Sequence, residues 1–322
     1  MKTLFLRIIP LLLVSFSFLI VHADITATIK LDPANPLPNS SVSLTLERYS
    51  FNVDTAMITW KIGGRVVAQG EGEKKISVQT GGIGEAVKVN VLAENADGSS
   101  IEQTITINPS SVVLVYEAPK SYVPILYPGR SLPSDGALVR VTAIPQISDN
   151  GAPVPPSALS YSWYLNDNIL PSVSGRGKQA ANIRLDYLHE KNEIKVIARS
   201  PRNNTGTKKI DIYPHDILPL LYTYDPTFGV DFGHVIEKRF EATKDFTLAL
   251  EPFYVSGGEQ KNPTFSWFLD GLPASPLGGR LLALQPKENS FGSKLLSITV
   301  SGPDRRIQST EAKWELIFDT RK

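Results

Sequence analysis

Apolar and polar residues alternate along most of this chain in short runs, among them Val87-Lys-Val-Asn-Val91, Gln103-Thr-Ile-Thr-Ile107, Ile194-Lys-Val-Ile197, Lys208-Lys-Ile-Asp-Ile212 and Leu295-Leu-Ser-Ile-Thr-Val300. A period of two turns one face of a strand toward a core and the other toward water. Gly, Pro, Asn and Asp interrupt these runs roughly every eight to twelve residues, the punctuation of an antiparallel β-sandwich. Helical periodicity is scarce. The best stretch, Leu185 to Ile194, contains Asp186, His189, Glu190, Lys191 and Asn192, and reads equally well as a turn before a strand.

Three segments repeat: Met57-Ile-Thr-Trp60-Lys-Ile-Gly-Gly64, Leu159-Ser-Tyr-Ser-Trp163-Tyr-Leu-Asn-Asp167 and Thr264-Phe-Ser-Trp267-Phe-Leu-Asp-Gly271. Their tryptophans are 103 and 104 residues apart, a module-sized period. Each is followed by a two-residue Gly, Asn or Asp turn, which predicts a hairpin. Val91, Ile194 and Ile298 each lie 31 residues beyond their tryptophan, inside a second strand pattern. An indole flanked by small or polar neighbours points between the sheets. Burying ~150 to 250 Å² of it at ~25 cal/mol per Å² is worth about 4 to 6 kcal/mol. Trp60, Trp163 and Trp267 are therefore expected in the core, the alternative being exposed sugar-stacking platforms. The second and third copies share an opening segment, Leu114-Val-Tyr116-Glu-Ala-Pro119 and Leu221-Tyr-Thr-Tyr-Asp-Pro226. The expected divisions are 24–110, 111–214 and 215–322, with short joints at Asn108-Pro-Ser-Ser111 and Tyr213-Pro214. Such joints predict a stiff row of modules.

Residues 1–23 have the three parts of a secretory signal peptide: Lys2 and Arg7, the uncharged run Ile8 to Val21, and Val21-His-Ala23 before Asp24. Cleavage after Ala23 is expected. An uncleaved anchor is the alternative, but the run is shorter than the ~20 residues of a spanning helix. No second apolar run is long enough to span, and the stretch Ile317 to Lys322 is charged. The expected location is exported: extracellular, at the cell surface or periplasmic.

With 42% hydrophobic and 20% charged residues, the chain has the balance of a globular protein. A net charge of +1 argues against a nucleic-acid partner. The absence of cysteine excludes disulfides, thiolate metal sites, iron–sulfur clusters and a Cys nucleophile. His22 belongs to the leader, while His189, His215 and His234 are scattered, and no HExxH pattern occurs. There is no Gly-x-Ser-x-Gly elbow. Glu71 and Glu73 fall in one loop, where the ordinary outcome is solvation, and Gly81-Gly-Ile-Gly84 lacks the helix and lysine of a phosphate loop. The joints carry too few oxygens for calcium. Asn39-Ser-Ser41 and Asn203-Asn-Thr205 match the N-glycosylation acceptor pattern and stay unassigned. No catalytic residue, metal or cofactor is expected.

The order of strand, tryptophan, Gly/Asn/Asp turn and second strand resembles bacterial immunoglobulin-like and polycystic-kidney-disease-type modules. It does so over nearly the whole mature chain, without the immunoglobulin cysteine pair or the Gly-Asp-Gly turn of the polycystic-kidney-disease type. The resemblance implies an all-β chain of three tandem immunoglobulin-like sandwiches, non-catalytic, serving adhesion, envelope or filament assembly, or spacing. Tyr116, Tyr122 and Tyr127, and Tyr222, Tyr224, Phe228 and Phe232, cluster beside the joints. They read as interface aromatics, with packing of one module on the next favoured over a recognition surface. The partners so implied are an unknown protein or glycan of the cell surface, or a second copy through edge strands. The alternatives are a carbohydrate-binding accessory module of an extracellular enzyme system and an undetected hydrolase.

Overall fold

The computed structural model describes residues 27–47, 51–125, 127–242, 244–257 and 262–320. The leader at residues 1–23 lies outside the described residues. No helix among them is long and apolar enough to cross a membrane.

The fold is nearly all β. The first seven strands are β1 (Thr28–Asp32), β2 (Ser41–Glu47), β3 (Met57–Ile62), β4 (Arg65–Glu71), β5 (Lys75–Gln79), β6 (Val87–Glu94) and β7 (Ser100–Ile107). They form two sheets, ordered β1-β2-β5 and β4-β3-β6-β7. Next come β8 (Ser111–Glu117), β9 (Leu138–Gln146), the small pair β10 (Ser148–Asp149) and β11 (Ala152–Pro153), then β12 (Ser160–Leu165), β13 (Asn168–Ile169), β14 (Gly175–Arg176), β15 (Ala180–Arg184), β16 (Asn192–Arg199) and β17 (Thr205–Ile212). Their main sheets are β15-β9-β8 and β13-β12-β16-β17. The last strands are β18 (Leu218–Asp225), β19 (Gly229–Ile236), β20 (Arg239–Ala242), β21 (Phe246–Phe253), β22 (Thr264–Leu269), β23 (Leu272–Ala274), β24 (Leu281–Leu284), β25 (Phe291–Ser301) and β26 (Ser309–Asp319). They are ordered β19-β18-β21-β24 and β20-β26-β25-β22-β23.

The same plan appears three times. The first, second and fifth main strands make one sheet, and the third, fourth, sixth and seventh make the other. With the tryptophan on the third strand, this is the immunoglobulin-like arrangement. The third sandwich adds two strands between its first and second: β19, hairpinned onto β18, and β20, which runs parallel to β26.

The chain divides into two compact units, one made of Met1–Leu31, Ser43–Ser77 and Lys88–Ile105, the other of Asp32–Val42, Val78–Val87 and Thr106–Lys322. In the first, Leu44, Leu46, Ile58, Trp60, Val89, Val91 and Ala93 are buried, as the alternation of β2, β3 and β6 requires. The second unit holds two separate cores. One gathers Val139, Val141, Tyr161, Trp163, Ile194 and Val196, and the other Leu221, Leu248, Leu250, Trp267, Ile298 and Trp314. Leu185 to Ile194 is a turn leading into β16, pinned by the Asn192 amide, whose oxygen accepts from the Asp186 N–H at 2.8 Å.

Each tryptophan hairpin closes in two residues, with Gly63-Gly64, Asn166-Asp167 or Asp270-Gly271 at its tip. All six have positive φ, between 48° and 81°, the geometry whose twist matches that of the strands. The tryptophans of the first and third hairpins pair with Val91 and Ile298, but Trp163 pairs with Val196 and not Ile194. A shift of two residues leaves the same side chains facing inward, so the core is unaffected.

Candidate functional site

Trp60, Trp163 and Trp267 are buried and make one recurrent contact. Their indole N–H groups donate to the carbonyls of Glu73 at 2.7 Å, Lys178 at 2.9 Å and Gly279 at 3.0 Å. In every case the acceptor stands two residues before the strand that opposes the tryptophan, β5, β15 or β24. The indole thus crosses the sandwich and ties its two sheets through a satisfied polar tip. None of the three is available as a sugar platform.

The connection between β8 and β9, residues 118–137, leaves the second sandwich and lies along the third. Ser121 bridges Ser256 as an antiparallel pair. The Tyr122 N–H donates to the Val255 carbonyl at 2.9 Å, the Tyr254 N–H to the Tyr122 carbonyl at 2.8 Å, and the Gly257 N–H to the Lys120 carbonyl at 2.8 Å. Farther along, the buried Gln308 amide donates to the Asp135 carbonyl at 2.6 Å and accepts from the Ser256 N–H at 3.2 Å. Tyr127 meets Phe253 edge-on at 5.4 Å. The segment is a strap made largely of main-chain bonds, so many residue types would keep its path.

At its centre the Tyr122 hydroxyl donates to the Glu251 carboxylate and accepts from Arg280, whose guanidinium also reaches Glu251 at 3.2 Å. The Arg280 guanidinium stands 5.0 Å from the Tyr122 ring centre. Glu251 is an acid on the outer face of β21 with a side chain only 7% exposed, so it needs these donors. Burial, then the hydrogen bond to Glu251, pushes the Tyr122 hydroxyl up to about 12. Burial also raises Tyr222, with the charge of Glu251 adding to it.

The aromatics expected beside the joints separate into three groups. Tyr122 and Tyr127 fasten the strap. Tyr116 stays with its own sandwich, under the Arg130 guanidinium at 4.5 Å, which also donates to its hydroxyl at 2.8 Å. Tyr222 lies diagonally beside Glu251 on the same face, whereas Tyr224, Phe228 and Phe232 lie farther toward the other end of the sheet. Along β18 the pairing runs from Leu218 opposite Phe253, beside the strap, to Tyr224 opposite Thr247. Those positions are about 20 Å apart at ~3.3 Å per residue. Tyr222 is buried against Phe232, with ring centres 5.4 Å apart. Tyr224, Phe228 and Phe232 line an open cleft of about 850 Å³ together with Phe240, Phe246, Asp225, Asp231, Glu241, Lys244 and Asp245. Phe228 is 89% exposed and Phe232 49%.

The candidate chemical groups lie apart among the described residues. His189 and His234 each pair with a neighbouring aspartate, Asp186 or Asp231, at 3.0 Å, and the His215 ring faces Tyr254 at 6.1 Å. Among the described residues no group of three His, Asp or Glu is placed to hold a metal ion. Glu71 ends β4 while the Glu73 carbonyl holds Trp60, and Gly82 turns onto the Glu85 carboxylate at 2.7 Å. Glu251, Arg280, Gln308 and Trp314 take part in these contacts without being singled out by any motif. Trp314 carried a signal, an alternating run through Lys313-Trp-Glu-Leu-Ile-Phe318. Glu251, inside Leu248-Ala-Leu-Glu-Pro-Phe253, carried only the oddity of a charge among apolar residues.

No protein-family model matches the chain, and no curated protein matches it. Solved structures similar to it include fibronectin(III)-like modules of Clostridium thermocellum CbhA, at 12% identity, covering 58% of this chain and 94% of that one with a TM-score of 0.30. Another is the three N-terminal domains of the bacteriophage RB49 highly immunogenic outer capsid protein, at 13% identity, 92% and 99% coverage and a TM-score of 0.27. A third is a structure from a 1.5-MDa bacterial ice-binding adhesin, at 8% identity, 92% and 99% coverage and a TM-score of 0.24. These values assign no activity.

Proposed function

We propose that the protein is an exported, non-catalytic chain of three immunoglobulin-like modules, divided near residues 110 and 214. It would act at the cell surface or in the envelope as a spacer and presenting scaffold for adhesion or assembly. The observation that carries this reading is the strap. The second sandwich sends residues 118–137 onto the third and locks them with Tyr122, Glu251 and Arg280, which suits a module that must hold its neighbour at a set orientation. No set of acid, base and nucleophile competes with it among the described residues.

A second reading, glycan capture, has its own support in the cleft at the far end of the third sandwich, where Phe228 and Phe232 are exposed beside carboxylates. One experiment addresses both. Residues 24–322 are used as bait for envelope extracts and on a glycan array, beside a panel of glycan, ester and peptide substrates. Specific recovery of a surface protein supports the scaffold. Glycan retention that disappears in Phe228→Ala and Phe232→Ala moves the reading to carbohydrate binding, and turnover of any substrate overturns both.

A further inference from the structure

The cleft at the far end of the third sandwich is built by strands that the other two lack. β1 leads to β2 and β8 to β9 with no strand between them, whereas β19 and β20 stand between β18 and β21. β19 hairpins onto β18 and stays in its sheet, while β20 pairs with β26 in the other sheet. The two inserted strands thus separate, and the opening of about 850 Å³ is lined from both. The immunoglobulin-like core does not need this insertion, since the first two sandwiches form theirs without it.

Floor and rim of the cleft differ. Phe240 and Phe246 are half-buried, with ring centres 4.9 Å apart, and pack on the core of the third sandwich. Phe228 at the rim is in solvent, yet its backbone is fixed. The Asp225 carboxylate accepts from the Thr227 N–H at 2.7 Å and the Phe228 N–H at 3.0 Å, and Gly229 follows at φ +83°. An aromatic face held in water beside a cleft of this size is placed to stack on the apolar face of a ligand. The charge is one-sided as well. Asp225, Asp231, Glu241 and Asp245 line the cleft, and Lys244 is the one lysine or arginine among the described residues that does. The hydrogen bond from His234, with another from the Gly233 N–H, holds the Asp231 carboxyl below the usual carboxylate range, so it is ionised near neutral pH. Aromatic walls ringed by carboxylates attract a cation and repel an anion.

We propose that this cleft binds an amine-bearing glycan, a chain of amino sugars with free ammonium groups, whose ring faces stack on Phe228 and Phe232 and whose ammonium groups meet the carboxylates. The proposal rests on the glycan-capture reading and narrows it to a cationic sugar. A neutral glycan could stack on the same rings but leaves the excess negative charge uncompensated, and an acidic glycan is repelled. A basic peptide strand is a poorer fit, because β19 departs from regular pairing between Val230 and Val235 and so offers a broken edge for strand addition.

Titration calorimetry of residues 24–322 at mildly acidic pH, where the sugar amine is protonated, tests it with β-linked oligomers of glucosamine and of N-acetylglucosamine, and with an oligolysine. The glucosamine oligomer is expected to bind about tenfold more tightly than the acetylated one, and to weaken as salt is raised. Phe228→Ala should weaken both sugars about fivefold or more. The double variant Glu241→Gln with Asp245→Asn changes two exposed side chains, and circular dichroism checks that it is folded. It should lose most of the preference for glucosamine while binding the acetylated oligomer as before. Equal binding of the two sugars by the wild type, or a preference that survives in the double variant, overturns the amine assignment and leaves glycan capture standing. Binding of neither sugar removes both. Oligolysine bound as tightly as glucosamine, with no effect of Phe228→Ala, reduces the cleft to plain charge attraction and overturns the proposal.

Discussion

Replacing Tyr122 by Phe removes one hydroxyl and leaves the ring beside Arg280. The carboxylate of Glu251 loses its donor and keeps Arg280 at 3.2 Å, so it is weakened and not orphaned. Hydrogen bonds to charged groups are worth about 1.5 to 3 kcal/mol, and the 40% exposure of Arg280 points to the lower end, about 1.5. Because a multi-module chain does not unfold in one step, the effect is best read locally, by hydrogen exchange at the amides of Tyr122, Tyr254 and Gly257, which hold the strap. At 1.4 kcal/mol per decade, their protection should fall about tenfold at neutral pH, with amides of β12 and β16 unchanged. The pH dependence gives a second reading. Tyr122 is raised from an ordinary value of 10.0 to about 12, so the folded strap favours the neutral phenol. That contribution is complete below pH 10 and is lost as pH climbs toward 12. Two pKa units correspond to about 2.7 kcal/mol, which half-burial and screening reduce to about 1. Wild type should lose about that much strap protection over the interval, and Tyr122→Phe should not. Unchanged protection at pH 7, or the same alkaline loss in both proteins, would refute the reasoning.

Trp163→Phe empties part of the second core and strands the Lys178 carbonyl, so urea unfolding followed in that sandwich should show a loss of about 2 to 3 kcal/mol. Gly271 has φ +79° with open space around its Cα, so Gly271→Ala should cost about 1 kcal/mol by backbone strain alone, and Gly271→Asn distinctly less, compared by thermal melts. Gln308→Ala removes one amide that serves both Asp135 and Ser256, and should raise exchange at the Ser256 amide about tenfold without touching the first sandwich.

The third sandwich marks the boundary of what the chain discloses locally. Its tryptophan, its Asp270-Gly271 turn and its alternating β25 are legible because each follows from a neighbour-to-neighbour rule: period two, positive φ, a buried ring. The same rules find the first two modules. The strap is not legible in this way. Residues 118–137 are proline-rich and irregular, and their main-chain bonds to Val255, Tyr254 and Gly257 leave no residue pattern. Tyr122 and Phe228 look alike as aromatics beside a proline, yet one is enclosed by Glu251 and Arg280 and the other stands in water.

Strand content, the three core tryptophans and the two-residue turns were determined by the sequence itself, because alternation and turn chemistry act within a few residues. Which aromatic is buried, which acid needs a partner and where a connection lies were decided only by tertiary structure. These depend on strands brought together across more than a hundred residues, as Tyr122 and Glu251 are, and on how much water the assembled sheets leave around each group.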